Sequence, residues 1–370
     1  MESGGVHEKF MRRALELARL GEGYTRPNPL VGAVVVRDGQ IVGEGYHASY
    51  GGPHAEVVAL QQAGGNARGA DLFTNLEPCC HWGKTPPCAE AILAAGIRRV
   101  VLAHRDPNPL VNGQGLAQLK KAGVEVIEGV LAEEGLRLNE VFLHWIRTKT
   151  PFVVLKLALS LDGKIATRER KSQWITGEES RRFVHILRRR YAAVLVGIGT
   201  VLSDDPELTV RAVAGPQPLR VVLDSAGRIP FQARVLSPAA KTLIATTARM
   251  PESVERELTA RGVEVWRLPT SSGGVDLSAL LAKLGGQGVD SVLVEGGSEV
   301  AWSFLSQGFV QKVAFFYAPV ILGGRRAVPA VGGEGVGEPT AGFRLQDLTV
   351  ERVGEDLLVL GYLNRPAAPS

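Results

Sequence analysis

His54, Glu56, Cys79 and Cys88 are the residues of this chain best equipped for chemistry. One imidazole and two thiols are borderline or soft metal ligands, and the spacing His-x-Glu sets beside them a carboxylate that the metal does not need. Zinc takes four tetrahedral ligands, so one His and two Cys leave a position open for water. A metal that polarises water brings its pKa toward neutrality, and Glu56 is placed to move the proton. A structural zinc site would instead be closed by a fourth ligand, which Cys80 or His81 could supply.

The order His54-Ala55-Glu56, Pro78-Cys79, Cys88 is similar to the signature of the zinc deaminases, which expel a ring amine as ammonia. That signature closes as Cys-x-x-Cys, whereas here eight residues separate Cys79 from Cys88. Residues 54–63 read as a helix ended by Gly64-Gly65, and residues 87–95 as a second, introduced by Pro86-Pro87 and ended by Gly96. His54 and Cys88 are therefore expected in first helical turns, where the positive end of the helix dipole favours thiolate. Residues two apart do not share a helix face, so His54 and Glu56 can converge only around an open helix end.

The elements that must hold these groups belong to a chain of 370 residues, long enough for two domains. Hydrophobic residues at 45% and charged residues at 22% describe a soluble globular protein. The first ten residues hold Glu2, His7, Glu8 and Lys9 and no apolar core of a secretory signal. The longest apolar run, 313–322, is too short to span a membrane. Three cysteines within ten positions suit a metal in a reducing cytosol, so a cytoplasmic protein without disulfides is expected. The net charge of +4 reads as an ordinary basic surface that also suits a phosphorylated small molecule. The densest basic run, Arg188-Arg189-Arg190, is too short for a nucleic-acid groove.

Helical spacing over 7–20, a hairpin at 30–36 and 40–46 around Asp38-Gly39, and strands at 70–76, 98–104 and 124–127 alternating with helices predict an α/β sandwich. A helical run over 133–147 then meets Pro151, which disfavours helix for the residue before it, and an apolar strand begins at once. The boundary is placed there, giving domains 1–149 and 150–366. The second half predicts strands at 192–196, 219–223, 242–245, 263–267, 291–294 and 313–317, with helices such as 252–261 and 277–284 between them. The turns Gly197-Ile198-Gly199-Thr200 and Glu295-Gly296-Gly297-Ser298 follow two of these strands and could cradle phosphate. Thr246, Thr247 and Arg249, after another, could meet a 2′-phosphate. A Rossmann Gly-x-Gly-x-x-Gly is absent.

Over nearly its whole length the chain resembles the bifunctional deaminase/reductase family of riboflavin biosynthesis. The first half carries Pro27-Asn28-Pro29-Leu30-Val31-Gly32, the residues from Leu76-Glu77-Pro78-Cys79 through Gly83-Lys84-Thr85-Pro86-Pro87-Cys88, and Asp106-Pro107-Asn108-Pro109. The second carries Leu159-Ser160-Leu161-Asp162-Gly163-Lys164, Trp174-Ile175-Thr176, Ser203-Asp204-Asp205-Pro206 and Val294-Glu295-Gly296-Gly297-Ser298. The long insert between the cysteines is typical of that family. The resemblance implies an N-terminal cytidine-deaminase-like α/β sandwich and a C-terminal dihydrofolate-reductase-like α/β domain. It implies hydrolysis of the 2-amino group of a diamino-ribosylamino-pyrimidinone 5′-phosphate, then reduction of the ribosyl group to ribityl with NADPH.

By the same resemblance His54, Cys79 and Cys88 hold zinc, Glu56 shuttles protons, and Asn28, His81, Lys84, Asp106 and Asn108 surround the substrate. In the reductase half Lys156 and Asp204 are the catalytic candidates. Ser172, Arg188 and Arg211 clamp the substrate phosphate, joined by Asp204, Leu208 and Glu295 around the rest of it. Lys156, Ala158, Trp174, Ile175, Thr176, Thr200, Asp204, Ser225 and Gly297 touch NADPH. A homo-oligomer through the reductase domain is also implied. Read without the family, Lys156 alternates with Leu155, Leu157 and Leu159 and could simply point outward, and Asp204-Asp205-Pro206 could be a solvated turn. The family usually has Ser where this chain has Cys80, a poorer donor, and His or Tyr where it has Trp82, which could lid the pyrimidine or pack on its own domain. Two other classes remain open: a nucleic-acid base deaminase, argued against by the lack of an aromatic-interleaved basic stripe, and a zinc-stabilised binding module.

Overall fold

The structure, a computed structural model, describes residues 2–363 and divides into two compact units between Thr148 and Lys149. Among the described residues no helix is long and apolar enough to cross a membrane.

The first unit runs α1 (Glu2–Arg19), β1 (Gly32–Arg37), β2 (Gln40–Tyr46), α2 (Ala55–Ala63), β3 (Asp71–Leu76), α3 (Cys88–Ala95), β4 (Arg99–His104), α4 (Gln114–Lys121), β5 (Glu125–Glu128), α5 (Ala132–Leu138) and α6 (Glu140–Thr148). Its sheet has the order β2-β1-β3-β4-β5. β1 is antiparallel to β2 and β3, and the strands from β3 to β5 are parallel. Period-2 alternation sorts the strand residues onto two faces. Val34, Val36, Phe73, Val101 and Ala103 pack with Phe10, Met11, Ala14 and Leu15 of α1. Ala33, Val35, Leu72 and Val100 pack with Ala55, Ala59 and Leu60 of α2 and with Ala89 and Ile92 of α3. Helices thus cover both faces, as the sandwich reading requires.

One helix position depends on missing side chains. A Cβ at Gly43 would lie 2.2 Å from the Ala59 carbonyl oxygen, and one at Gly45 would lie 2.4 Å from that of Ala55. The backbone of α2 therefore rests directly on β2, and this seat sets where His54 and Glu56 emerge.

The single helix expected over 133–147 is two helices. They part at Asn139, whose Oδ1 accepts the Leu30 N–H at 2.8 Å while its Nδ2 donates to the Leu30 carbonyl at 3.0 Å. Asn139 is buried and acts as a surrogate strand partner for Leu30, which satisfies backbone that would otherwise be orphaned inside the fold.

The second unit runs β6 (Phe152–Ser160), β7 (Lys164–Ala166), α7 (Glu178–Arg190), β8 (Ala193–Gly197), α8 (Ile198–Asp204), β9 (Leu219–Leu223), β10 (Thr242–Thr246), α9 (Glu252–Ala260), β11 (Glu264–Arg267), β12 (Thr270–Ser271), β13 (Gly274–Val275), α10 (Leu277–Gly286), β14 (Ser291–Val294), α11 (Ser298–Ser306), β15 (Lys312–Ala318), β16 (Val328–Pro329), β17 (Gln346–Val353) and β18 (Asp356–Tyr362). Its nine-stranded sheet has the order β11-β10-β9-β8-β14-β6-β15-β18-β17. From β11 to β15 along this order the strands are parallel. The hairpin of β17 and β18, unforeseen in the sequence, adds antiparallel strands at one edge. One face of the sheet is covered by α10 and α11, through Leu280, Leu284, Ala301 and Phe304. Ile198 and Val201 of α8 and Leu258 of α9 pack on the other.

Gly45→Ala is expected to destabilise the first unit by about 1–3 kcal/mol, because the added methyl must push α2 off the sheet. Chemical denaturation should show this together with weaker metal retention; an unchanged transition would refute the seating argument.

Candidate active sites

In the first unit His54 stands just before α2, with φ −75° and ψ 156°, so its backbone is extended and it is not in the first turn as the helical reading expected. The two-residue problem is solved there: His54 points off the open end while Glu56, inside the helix, is buried beneath it. Cys88 opens α3, and Cys79 lies in the loop after β3. His54 Nδ1 is 3.1 Å from Cys88 Sγ and 3.5 Å from Cys79 Sγ, and the Cys88 N–H donates to Cys79 Sγ at 3.3 Å. Two ligands bound tetrahedrally at ordinary zinc–nitrogen and zinc–sulfur distances lie about 3.6 Å apart, so these groups fit zinc with little movement. Among the described residues His54, Cys79 and Cys88 form the group of His, Cys, Asp and Glu close enough to share a metal, all within 4.8 Å. Cys80 and His81 stand outside it, and the Cys80 thiol instead donates to the Leu110 carbonyl at 3.6 Å.

The electrostatics follow from burial and proximity. A hydrogen bond from Cys88 and the nearby His54 hold the Cys79 thiol below its ordinary range, while Cys79 and burial push Cys88 well above it. His54 is raised, chiefly by its bond to Cys79. Burial pushes Glu56 up to about 7, the Cys79 charge adding to the rise and His54 opposing it. A carboxyl poised near neutrality suits a group that both accepts and donates a proton.

The other first-half candidates lie on loops around these elements. Asn28 Nδ2 is 3.1 Å from His47 Nε2, and His47 Nδ1 is 3.0 Å from the Pro53 carbonyl. His47 therefore donates from Nδ1 and accepts from Asn28, and burial holds it neutral by lowering its pKa. The sequence reading missed this histidine because nothing in its local spacing marks it. Asp106 Oδ1 accepts the Asn108 N–H at 2.8 Å, and burial pushes Asp106 up to about 6. Glu77 Oε2 accepts the backbone N–H groups of Asp106 and Gly113, tying this loop to the end of β3. The Lys84 ammonium lies 3.9 Å from the centre of the Tyr50 ring, a second residue the sequence reading passed over. His81 Nδ1 is buried without a hydrogen-bond partner. Trp82 is 71% exposed.

In the second unit the candidates gather at the carboxyl ends of the parallel strands, where open α/β sheets place their ligands. Glu295 follows β14, and Arg188 grips it with Nε at 2.6 Å and Nη2 at 2.8 Å. Lys156 Nζ is 4.0 Å from the same carboxylate. The three side chains are 6–12% exposed, so Lys156 faces a buried cluster and not solvent. Burial lowers Lys156. Burial pushes Glu295 up, but Arg188 and Lys156 prevail and hold it below the usual carboxylate range. Two cations and one anion leave a surplus positive charge, which suits an anionic ligand.

Asp204 closes α8 and accepts hydrogen bonds from Ser172 at 2.9 Å and Ser203 at 2.8 Å, so it is a built position and not a solvated turn. Arg211 is half exposed and pairs with Glu207, and its backbone N–H donates to His185 Nδ1 at 3.4 Å. Leu208 is buried. Ala158 shares the Lys156 face of β6, while Leu155, Leu157 and Leu159 fill the core on the other face. Trp174, Ile175 and Thr176 precede α7, with Arg181 stacked on the exposed Trp174 ring at 4.8 Å. A Cβ at Gly296 would lie 3.0 Å from Thr200 Oγ1, and Gly297 has φ +83°. The glycine turn after β14 thus lies bare against the Thr200 hydroxyl just after β8, an arrangement that fits the phosphates of a dinucleotide. Ser225 follows β9. Thr246 and Thr247 are buried, and their hydroxyls donate to the carbonyls of Asp224 and Ser225. Arg249 donates to the Gly273 carbonyl.

The profile of the RibD C-terminal domain matches residues 151–359, and that of the cytidine and deoxycytidylate deaminase zinc-binding region matches residues 5–104. The chain belongs to the RibD family. The riboflavin biosynthesis protein RibD of Aquifex aeolicus is 45% identical over 355 residues, 96% of this chain and 98% of that protein. The RibD of Bacillus amyloliquefaciens is 46% identical over 354 residues, covering 95% of each. The crystal structure of a Thermotoga maritima diaminohydroxyphosphoribosylaminopyrimidine deaminase/5-amino-6-(5-phosphoribosylamino)uracil reductase is 40% identical, with a TM-score of 0.87 over 97% of this chain and 99% of that one. As a RibD, the chain is a bifunctional riboflavin-biosynthesis enzyme, a zinc-dependent deaminase joined to an NADPH-dependent reductase.

Two outcomes follow from the buried charges. Arg188→Met strands Glu295 and should cost the second unit about 3–5 kcal/mol, with Arg188→Met/Glu295→Leu recovering part of it; equal losses in denaturant titrations would rule out the pairing. His185 is pushed down to about 4 by burial and by Arg188 and Arg211. Its folded pKa lies below the unfolded value near 6.5, so the unfolded chain binds the proton first and stability falls as pH drops from about 6.5 toward 4. His185→Gln should flatten that part of the stability profile of the second unit; an identical slope in the variant would contradict it.

Proposed function

We propose that the first unit hydrolyses the 2-amino group of 2,5-diamino-6-ribosylamino-pyrimidinone 5′-phosphate, and that the second reduces the ribosyl side chain of the resulting aminouracil to ribityl. The observation that carries this reading is the pairing of an open three-ligand cluster with a buried carboxyl poised near pH 7. Zinc, when held by His54, Cys79 and Cys88, supplies the Lewis acidity that lets water attack near neutral pH. Glu56 takes the proton that the attacking water gives up and delivers it to the leaving amine, so a C–O bond forms at C2, the C–N bond breaks and ammonia departs. Asn28, its amide oriented by His47, holds the pyrimidine with His81, Asp106 and Asn108. Lys84 reaches the ribose phosphate.

NADPH, when bound, supplies the hydride, and its positioning carries most of the rate. Thr200 and Gly297 line the bare-backbone cradle for its phosphates, with Ala158, Trp174, Ile175, Thr176 and Ser225 beside it. The ribose must open to an imine before C1′ accepts hydride. Lys156, its ammonium destabilised by burial, and Asp204 are the groups that move that proton. Arg211 and Ser172 meet the substrate phosphate. Arg188 contributes from its place on Glu295, and Leu208 packs beside them. The deaminase domain spans 1–149 and the reductase domain 150–366. A homo-oligomer through the reductase domain accords with the edge strand β17, where Leu348 and Val350 are more than half exposed. Three unpaired thiols accord with a cytoplasmic setting.

The test is to measure ammonia released and NADPH oxidised together from the diaminopyrimidinone ribosyl phosphate. One ammonia per NADPH is expected; no ammonia from zinc-loaded protein would sink the deaminase reading. Glu56→Gln should abolish ammonia release, by at least the 10²- to 10⁴-fold typical of a lost acid–base group, and leave NADPH oxidation on the deaminated substrate intact. Equal loss of both would mean that the two sites are not independent.

A further inference from the structure

The eight residues between Cys79 and Cys88 are tied down at their far end by the Cys88 N–H on Cys79 Sγ and the Ala89 N–H on the Cys79 carbonyl. Inside the loop they form, the Thr85 hydroxyl lies 3.2 Å from His54 Nε2. That contact is the unexpected one. His54 turns Nδ1 toward both thiols, at 3.1 and 3.5 Å, so Nδ1 is the nitrogen whose lone pair serves a metal. The single remaining proton of a neutral ring is then on Nε2, and Thr85 Oγ1 is placed to accept it. The local backbone does not hold the ring: His54 is extended, precedes α2, and makes no side-chain capping bond. Its other close neighbour is the His47 ring, edge-on at 5.5 Å, which restrains tilt without choosing a tautomer.

Resting on the zinc reading of the first unit, we propose that Thr85 is a positioning residue for the metal ligand His54. It accepts the Nε2 proton, which fixes the imidazole as the Nδ1-ligating tautomer and aims its lone pair between Cys79 and Cys88. Partners of this kind raise ligand basicity and limit ring rotation, and their loss typically weakens metal affinity by 10- to 100-fold. The length of the insert then has a use. A two-residue Cys-x-x-Cys spacer has no residue to spare for reaching over the far side of the histidine, whereas eight residues do. Lys84, the candidate for the substrate phosphate, is the adjacent residue, so one short loop serves both the metal ligand and the substrate.

The experiment uses the full-length chain stripped of metal and titrated with zinc against a chromophoric chelator. Wild type should bind one zinc per chain at the first unit. Thr85→Val, which keeps the shape and removes the acceptor, should bind it roughly 10- to 100-fold more weakly, and Thr85→Ser should restore affinity close to wild type. Equal affinity of Thr85→Val and wild type would overturn the role of Thr85 and leave the zinc reading standing; no zinc bound by wild type would overturn the zinc reading itself. A second measurement does not depend on a variant folding. Long-range proton–nitrogen NMR of the zinc-loaded wild type should show His54 protonated at Nε2 and metal-bound at Nδ1, with the Nε2 proton protected from exchange. The opposite tautomer, or a freely exchanging Nε2 proton, would refute the proposal.

Discussion

A carboxylate taken out of water must find a cation, a set of hydrogen-bond donors or a proton, and the two sites are arranged around three different answers to that demand. Glu295 finds cations: the Arg188 fork and, at 4.0 Å, Lys156. Glu77 finds donors, the backbone N–H groups of Asp106 and Gly113. Glu56 is buried, and the nearby His54 and its hydrogen bonds oppose the effect of burial without cancelling it, so it holds a proton near pH 7. The same residue type is thereby a counter-ion, a structural clip and the proposed acid–base group, according to what surrounds it. The carboxyl proposed for chemistry is the one whose burial is not offset by cations as that of Glu295 is.

Both units place these groups where parallel strands end. In the first, β3 leads into Glu77-Pro78-Cys79 and β4 into Arg105-Asp106; in the second, β8 and β14 lead into the turns at 197–200 and 295–298. Strands that run parallel bring their exits to one edge, and the loops that leave it are free to carry polar groups while the sheet beneath stays apolar. The requirement for bare backbone follows. Gly45 touches α2 at a distance that no side chain permits, and a Cβ at Gly296 would be crowded against the Thr200 hydroxyl. Glycine in these places serves close approach, not flexibility.

The cluster of His54, Cys79 and Cys88 with Glu56 beside it was legible in the sequence because its signal is local: residue type, order and short spacing are enough. The parallel strands were legible for the same reason, as apolar runs bounded by turns. What stayed hidden depends on partners far apart in the chain. Arg188 and Glu295 are 107 residues apart and Asn139 and Leu30 are 109 apart, so neither the buried ion cluster nor the break between α5 and α6 is written in any window. The hairpin of β17 and β18 was missed because β17 carries polar and charged residues on both faces and is exposed almost throughout, which erases the alternation that marks a half-buried strand. His47 and Thr85 are unremarkable neighbours of motif residues until the fold turns them onto Asn28 and His54.

The contrast between the two sites has a physical consequence for one phosphorylated ligand. In the reductase unit a positive surplus is buried with Glu295, where the dielectric is low and attraction for a phosphate is strong. In the deaminase unit the cation candidate is Lys84, exposed and resting on Tyr50, while the buried groups of the site include the Glu56 and Asp106 carboxyls and the Cys88 thiol. A dianionic substrate can approach such a cluster only if its charge stays at the rim and its pyrimidine alone enters. The proposed place for the phosphate, beside the exposed Lys84 ammonium, would keep it in water's reach and leave the neutral ring to the low-dielectric interior. A phosphate brought deeper would raise the Glu56 pKa above the value near 7 that burial gives it and would leave no base to accept the proton of water.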